Sequence, residues 1–238
     1  MKKLLTATLG LGLSAFAYGA TAQAADTKAC FVYVGPIGDF GWSYQHDQGR
    51  LAVEEKLGAE TAYVESIPEG SDAERAIERF ARSGCKIIFT TSFGYMDPTN
   101  KIAKKFKDVK FEHATGYKRE SDNVSTYSSK FYQGRYIQGQ IAASISKTGV
   151  AGYIASFPIP EVVRGINAFI LGAQSVNPDF SLKVVWVNTW FDPGKEADAA
   201  KTLVDQGVDI ITQHTDSTAP MQVAEERGIK AFGQASDM

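Results

Sequence analysis

Histidine and cysteine are scarce in this chain, with three and two among 238 residues. His46, His113 and His214 stand far apart, and none forms an H-E-x-x-H or H-x₃₋₅-H pair. No sequence basis for a metal cofactor remains. A G-x-S-x-G nucleophile elbow and a G-x-x-x-x-G-K-[ST] phosphate loop are also missing. The run Gly35-Pro36-Ile37-Gly38-Asp39-Phe40-Gly41 is glycine-rich. Its spacing is wrong for a dinucleotide loop, and Asp39 would repel a pyrophosphate. These absences argue against an enzyme and against any cofactor. A basic excess is lacking too, since 25 Lys and Arg face 27 Asp and Glu for a net charge of −2. That balance excludes a nucleic-acid footprint.

Long apolar runs are absent except at the start. Lys2-Lys3 precede an apolar stretch over residues 4–20, and Ala22-Gln23-Ala24 fits the small-residue cleavage rule. The stretch is short for a membrane span. Residues 1–24 are therefore expected to be a signal peptide cleaved after Ala24. Cys30 follows Thr27-Lys28-Ala29 rather than a lipid-attachment motif, so a soluble exported protein without a lipid anchor is expected. Export suits a disulfide. Cys30 and Cys85 each open an apolar segment, at 31–34 and 86–90. In a sheet of order 2-1-3 these strands are parallel neighbours about 4.8 Å apart, near bridging range. The alternatives are a bridge or two buried thiols.

What the chain does contain is a regular alternation of strand and helix. Strands are predicted at 31–34, 61–66, 86–91, 111–115 and 124–128, and again at 151–156, 182–187, 208–212 and 230–233. Helices are predicted at 43–57, 71–83, from 97, and at 131–146, 161–176, 193–205 and 219–227. Ser71 with Glu74 reads as a capping box. Asp97-Pro98 and Asp192-Pro193 each read as an N-cap followed by proline at the first helical position, an echo between the halves. Such βαβ alternation implies parallel sheets flanked by helices. The break at Lys147-Thr148-Gly149 reads as the crossing between two doubly wound lobes, 25–147 and 148–238. The second lobe is expected to be incomplete, because the chain stops directly after a strand.

Open α/β sheets bind ligands at the carboxyl ends of their strands. The residues there are Asp39, Trp42, Ser43, Phe93, Asp97 and Tyr117 in the first half, and Trp190, Asp216 and Asp237 in the second. Aromatics and acids dominate and cations are few, which disfavours phosphate or a free carboxylate as ligand. Aromatic faces suit stacking and carboxylates accept N–H bonds, so a flat, donor-rich ligand such as a nucleobase or nucleoside is expected. Asp97 and Asp192 also read as helix caps, Trp42 and Trp190 also read as core, and His46 and His214 also read as polar neighbours.

Four segments carry a resemblance over nearly all of the mature chain. They are Gly38-Asp39-Phe40-Gly41-Trp42-Ser43-Tyr44-Gln45, Thr91-Ser92-Phe93-Gly94-Tyr95-Met96-Asp97, Asn188-Thr189-Trp190-Phe191-Asp192-Pro193 and Gly233-Gln234-Ala235-Ser236-Asp237. The chain resembles the basic membrane protein family of ABC-transporter substrate-binding proteins, the purine nucleoside receptor type. The resemblance implies a type I periplasmic binding protein with two lobes, a hinge and ligand in the cleft. It implies a purine stacked between Trp42 and Trp190, with Asp39 and Asp237 as acidic partners. It also implies a monomer in the periplasm that serves an ABC permease. The family loop usually reads Asp-x-Ser-Phe-Asn, and here tryptophan and serine replace phenylalanine and asparagine, which bears on base against nucleoside. A sensor presenting a ligand to a membrane receptor, and a receptor for an amino acid or sugar, are the alternatives.

Overall fold

The computed structural model describes residues 27–238. The signal-peptide expectation for residues 1–24 lies outside them. The first sheet holds β1 (Ala29–Val32), β2 (Thr61–Val64), β3 (Ile87–Thr90), β4 (Lys110–Ala114) and β5 (Val124–Tyr127), all parallel, in the order β2-β1-β3-β4-β5. The second holds β6 (Val150–Ala155), β7 (Ser181–Trp186), β8 (Ile210–His214) and β9 (Lys230–Phe232), also parallel, in the order β7-β6-β8-β9. The helices are α1 (Trp42–Leu57), α2 (Ser71–Arg82), α3 (Met96–Ala103), α4 (Phe131–Ile145), α5 (Pro160–Gln174), α6 (Pro193–Asp205) and α7 (Ala219–Glu226).

Side chains on a strand alternate between faces, and β1 divides its residues accordingly. Cys30 and Val32 join Ala73, Ile77 and Phe80 of α2 and Ile102 of α3 in one core. Ala29, Phe31 and Tyr33 build a second core on the opposite face. The register pairs Phe31 with Phe89, and their rings stack 4.6 Å apart. Cys30 is bonded to Cys85 in a disulfide, with Cα atoms 6.0 Å apart. The second sheet is also covered on both faces. Tyr153, Ala155 and Phe169 pack on one side, and Ile154, Leu203 and Ile211 on the other.

The boundary between the halves differs from the expected crossing at Lys147-Thr148-Gly149. Helix α4 packs on α5 and the second sheet, with Ala142 inside that core. Gly139 and Gly172 make this possible, because a methyl group at either would collide with backbone of the facing helix. Buried Arg135 anchors α4 further. It donates to Thr212 Oγ1 at 2.8 Å, and to the Gln213 carbonyl and Gln234 Oε1. The chain thus crosses at residues 128–130, and α4 belongs with the 148–238 half. The sequence placed a helix at 131–146 but did not show which sheet would cover it.

Two expected caps are replaced. Gly70, at φ +88°, occupies the cap of α2, while Glu74 pairs with Lys101 at 2.7 Å, so the Ser71 capping box does not form. A 3₁₀ turn over Phe93–Tyr95 runs straight into α3. Asp97 therefore falls inside the first turn rather than before it. Asp192 does cap α6, accepting from the Lys195 amide at 3.1 Å. The echo between the halves is one of sequence only.

Candidate functional site

The carboxyl ends of both sheets face a shared cleft. Its space is about 380 Å³ counting the open mouth. Trp42 enters from α1 beside the first sheet, and Trp190 from the loop after β7 of the second. Phe93, Ser92 and Thr115 come from the first half; Ile159, Glu161, His214, Asp216 and Gln234 come from the second. No lysine or arginine lines it.

Trp42 is held by its indole N–H, which donates to the Thr91 carbonyl, and by its ring, 4.4 Å from His46 and 6.1 Å from Phe131. Trp190 sits 5.0 Å from Phe157 and donates through Nε1 to Glu69 Oε1 at 3.3 Å. Glu69 also accepts from Ser92 at 2.5 Å, so it ties the two halves together. A second tie runs from the Trp42 amide to Asp216 Oδ1 at 3.1 Å. Ser236 Oγ donates to the Phe40 carbonyl as a third. Gly41 is needed at the second tie, since a side chain there would strike Asp216.

The candidate acids are used unequally. Asp39 is only 1 % exposed and accepts from the amides of Gly41, Ser43 and Tyr44 at 2.8, 3.1 and 3.0 Å. These bonds secure the start of α1, so Asp39 is a helix-capping group rather than a free acceptor for ligand. Ser43 is buried, and its hydroxyl accepts from the Gly35 amide at 3.1 Å. Asp97 lies outside the cleft; its side chain is 75 % exposed and pairs with Lys118 at 2.7 Å. Tyr117 is 68 % exposed and touches the site only through its ring, 6.3 Å from Phe93. Asp237 is exposed and does not line the cleft. Of the nine expected positions, Trp42, Phe93, Trp190 and Asp216 are the ones that line it.

Electrostatics follow burial. Desolvation pushes the Asp216 carboxyl well up, reinforced by the neighbouring Asp39 and Glu196 charges and opposed by the Trp42 amide. Burial likewise raises Asp39, against its three amide bonds. Glu161 is raised by burial and partly lowered by Arg164. His214 is lowered to about 3, first by burial and then by the Arg135 charge behind it. The imidazole is therefore neutral at physiological pH.

Sequence reasoning passed over Glu69 and Glu161 and left His214 as a polar neighbour. Glu161 opens α5 and so already stood near a strand end, which was the available signal. Glu69 precedes α2 in a loop with no aromatic to mark it. Among the described residues, no three His, Cys, Asp or Glu side chains gather as metal ligands, and no helix is long and apolar enough to cross a membrane.

Two parallel-sheet lobes with an aromatic cleft between their strand ends define the class of two-lobed α/β ligand receptors. A family model described as ABC transporter substrate-binding protein PnrA-like matches residues 26–238. The chain belongs to that family. It is 68% identical over 229 residues to a purine-binding protein of Brucella abortus (strain 2308), covering 95% of this chain and 65% of that protein. It is 44% identical over 221 residues to a Haloferax volcanii protein provisionally named an ABC transporter glucose-binding protein, covering 92% and 56%. The chain thus spans roughly two thirds or less of these relatives. Among solved structures, an ABC transporter solute-binding protein from Aeropyrum pernix K1 superposes with TM-score 0.79 at 22% identity, covering 87% of this chain and 61% of that one. That likeness establishes the shared fold.

Proposed function

We propose that this protein captures a purine, as free base or nucleoside, outside the cytoplasm and delivers it to an ABC permease. The observation that carries this reading is one cleft shared by Trp42 and Trp190, one from each half, with no cation on its walls. Stacking on an aromatic side chain contributes about 1–3 kcal/mol per base. A neutral ring rich in N–H groups satisfies a cleft that offers carboxyl and imidazole acceptors. The name of the Brucella abortus relative agrees with this chemistry.

Binding in such a receptor couples to lobe closure. The ties from Glu69 to Trp190 and from Asp216 to the Trp42 amide are contacts that opening would break. The closed form is the one a permease would recognise, and no bond in the ligand changes. In this reading residues 1–24 direct export to the periplasm and the receptor acts as a monomer.

Calorimetric titration with adenine, adenosine and glucose tests the proposal. A purine is expected to bind, and Trp42→Ala to weaken it at least tenfold. Glucose binding without purine binding would overturn the reading, and so would an unchanged affinity in the variant.

A further inference from the structure

Each purine has two kinds of surface, a pair of π faces and a rim of ring and exocyclic nitrogens. Trp42 and Trp190 answer the faces. The rim needs polar atoms that are aimed into the cleft and not already engaged. Asp39 fails that requirement, having three amide donors of its own. Asp216 accepts the Trp42 amide. Glu69 accepts both Ser92 and Trp190.

Two cleft-lining side chains remain. Glu161 Oε1 and His214 Nδ1 are both buried and without a hydrogen-bond partner. His214 Nδ1 lies against α5, the helix that carries Glu161. Gly165 lies one helical turn after Glu161 on α5, and a Cβ built at Gly165 would stand 3.9 Å from His214 Nδ1. A buried polar atom left unpaired costs about 1–3 kcal/mol. Both side chains line the cleft that the tryptophans share, so the Glu161 acceptor left without a protein donor is a hydrogen-bonding edge awaiting a partner.

We infer that Glu161 is a specificity-determining residue that accepts an in-plane N–H of the bound purine, with the neutral His214 ring lining the same cleft. The inference rests on the purine reading above and goes beyond it by assigning the edge. A neutral imidazole suits this task, since one nitrogen donates and the other accepts. Burial, and then the Arg135 charge behind it, keep His214 neutral. Arg164 offsets the burial of Glu161 only in part, and its Oε1 has no protein donor, so a ligand N–H is its natural counterpart.

The test separates edge from face. Adenine, hypoxanthine and guanine, each as base and as nucleoside, are titrated calorimetrically into the wild type, Trp42→Ala, Glu161→Ala and Glu161→Gln. Trp42→Ala is expected to weaken every base that binds by a similar factor. Glu161→Ala is expected to weaken the best-bound base tenfold or more and to compress the spread of affinities across the three to within about threefold. Glu161→Gln keeps the side-chain volume but exchanges an acceptor oxygen for a donor, and is expected to change the order of preference. If the wild type binds none of these bases and none of their nucleosides, the purine reading itself fails. If the wild type binds and Trp42→Ala weakens it, but both Glu161 variants keep the wild-type order and spread, the edge assignment is overturned while the purine reading stands. Should Glu161→Ala fail to fold, the Glu161→Gln order alone decides.

Discussion

Acid should destabilise this protein through His214, by an amount the site itself sets. The side chain is 8 % exposed and its pKa is lowered to about 3, whereas in the unfolded chain it returns to the ordinary value near 6.5. Above pH 6.5 both states hold a neutral ring, and the contribution to stability is intact. As pH falls below 6.5 the unfolded chain takes up a proton that the native state refuses until about pH 3. Each pH unit in that window costs about 1.4 kcal/mol, so roughly 2 kcal/mol is lost on moving from pH 7 to pH 5. The raised carboxyls of Asp39, Glu161 and Asp216 work in the opposite sense, favouring the folded state as pH falls. A comparison between variants is therefore needed. Urea unfolding of the ligand-free protein at pH 7 and pH 5 gives the loss for wild type, and His214→Gln gives it without the titrating ring. The variant should lose about 2 kcal/mol less across that interval. Equal losses in the two proteins would show that His214 titrates normally and refute the argument.

The disulfide and the helix crossing give two further expectations. Cys30 and Cys85 are 55 residues apart in sequence, so the loop-closure relation predicts that replacing both with serine removes about 4 kcal/mol, read as a lower urea midpoint; an unchanged midpoint refutes it. Gly139→Ala adds a methyl group where the Phe169 carbonyl stands, so α4 and α5 must part at a cost of about 2 kcal/mol or more, despite the gain of about 1 kcal/mol in helix propensity. A raised melting temperature in that variant would contradict the close crossing.

Much of the architecture was legible because buried parallel strands read as continuous apolar runs. Phe31 to Val34 marked the first strand to within two residues of β1, and the 2-1-3 order that put Cys30 beside Cys85 is the order of β2, β1 and β3. Caps were legible only where the local sequence acts alone. Asp192 caps α6 because nothing helical precedes it, whereas a 3₁₀ turn engages the amides ahead of Asp97. The allegiance of α4 was not legible, since it depends on Gly139 and Gly172 meeting across 33 residues of chain and on Arg135 reaching Gln213 and Gln234. Family resemblance carried Trp42 and Trp190 to the cleft. It carried Asp39 only to the neighbourhood.

The acids explain why residue type alone does not define a site. Asp39, Asp216, Glu69 and Glu161 all gather around one cleft, and by composition they are interchangeable. Their hydrogen bonds are not. Asp39 has three donors on its own loop, which fixes the start of the helix that presents Trp42. Asp216 takes the amide of that same tryptophan from the opposite half, and Glu69 takes the indole N–H of Trp190 in the reverse direction. Each tryptophan is thus restrained by an acid from the other half, so the two aromatic walls come into position together when the halves meet. In the proposed receptor, a ligand filling the space between them would gain both walls at once, coupling stacking to closure. Glu161 takes no part in that bracing. Its Oε1 is left buried with no protein donor, and among these four acids it is the one whose pairing awaits the ligand.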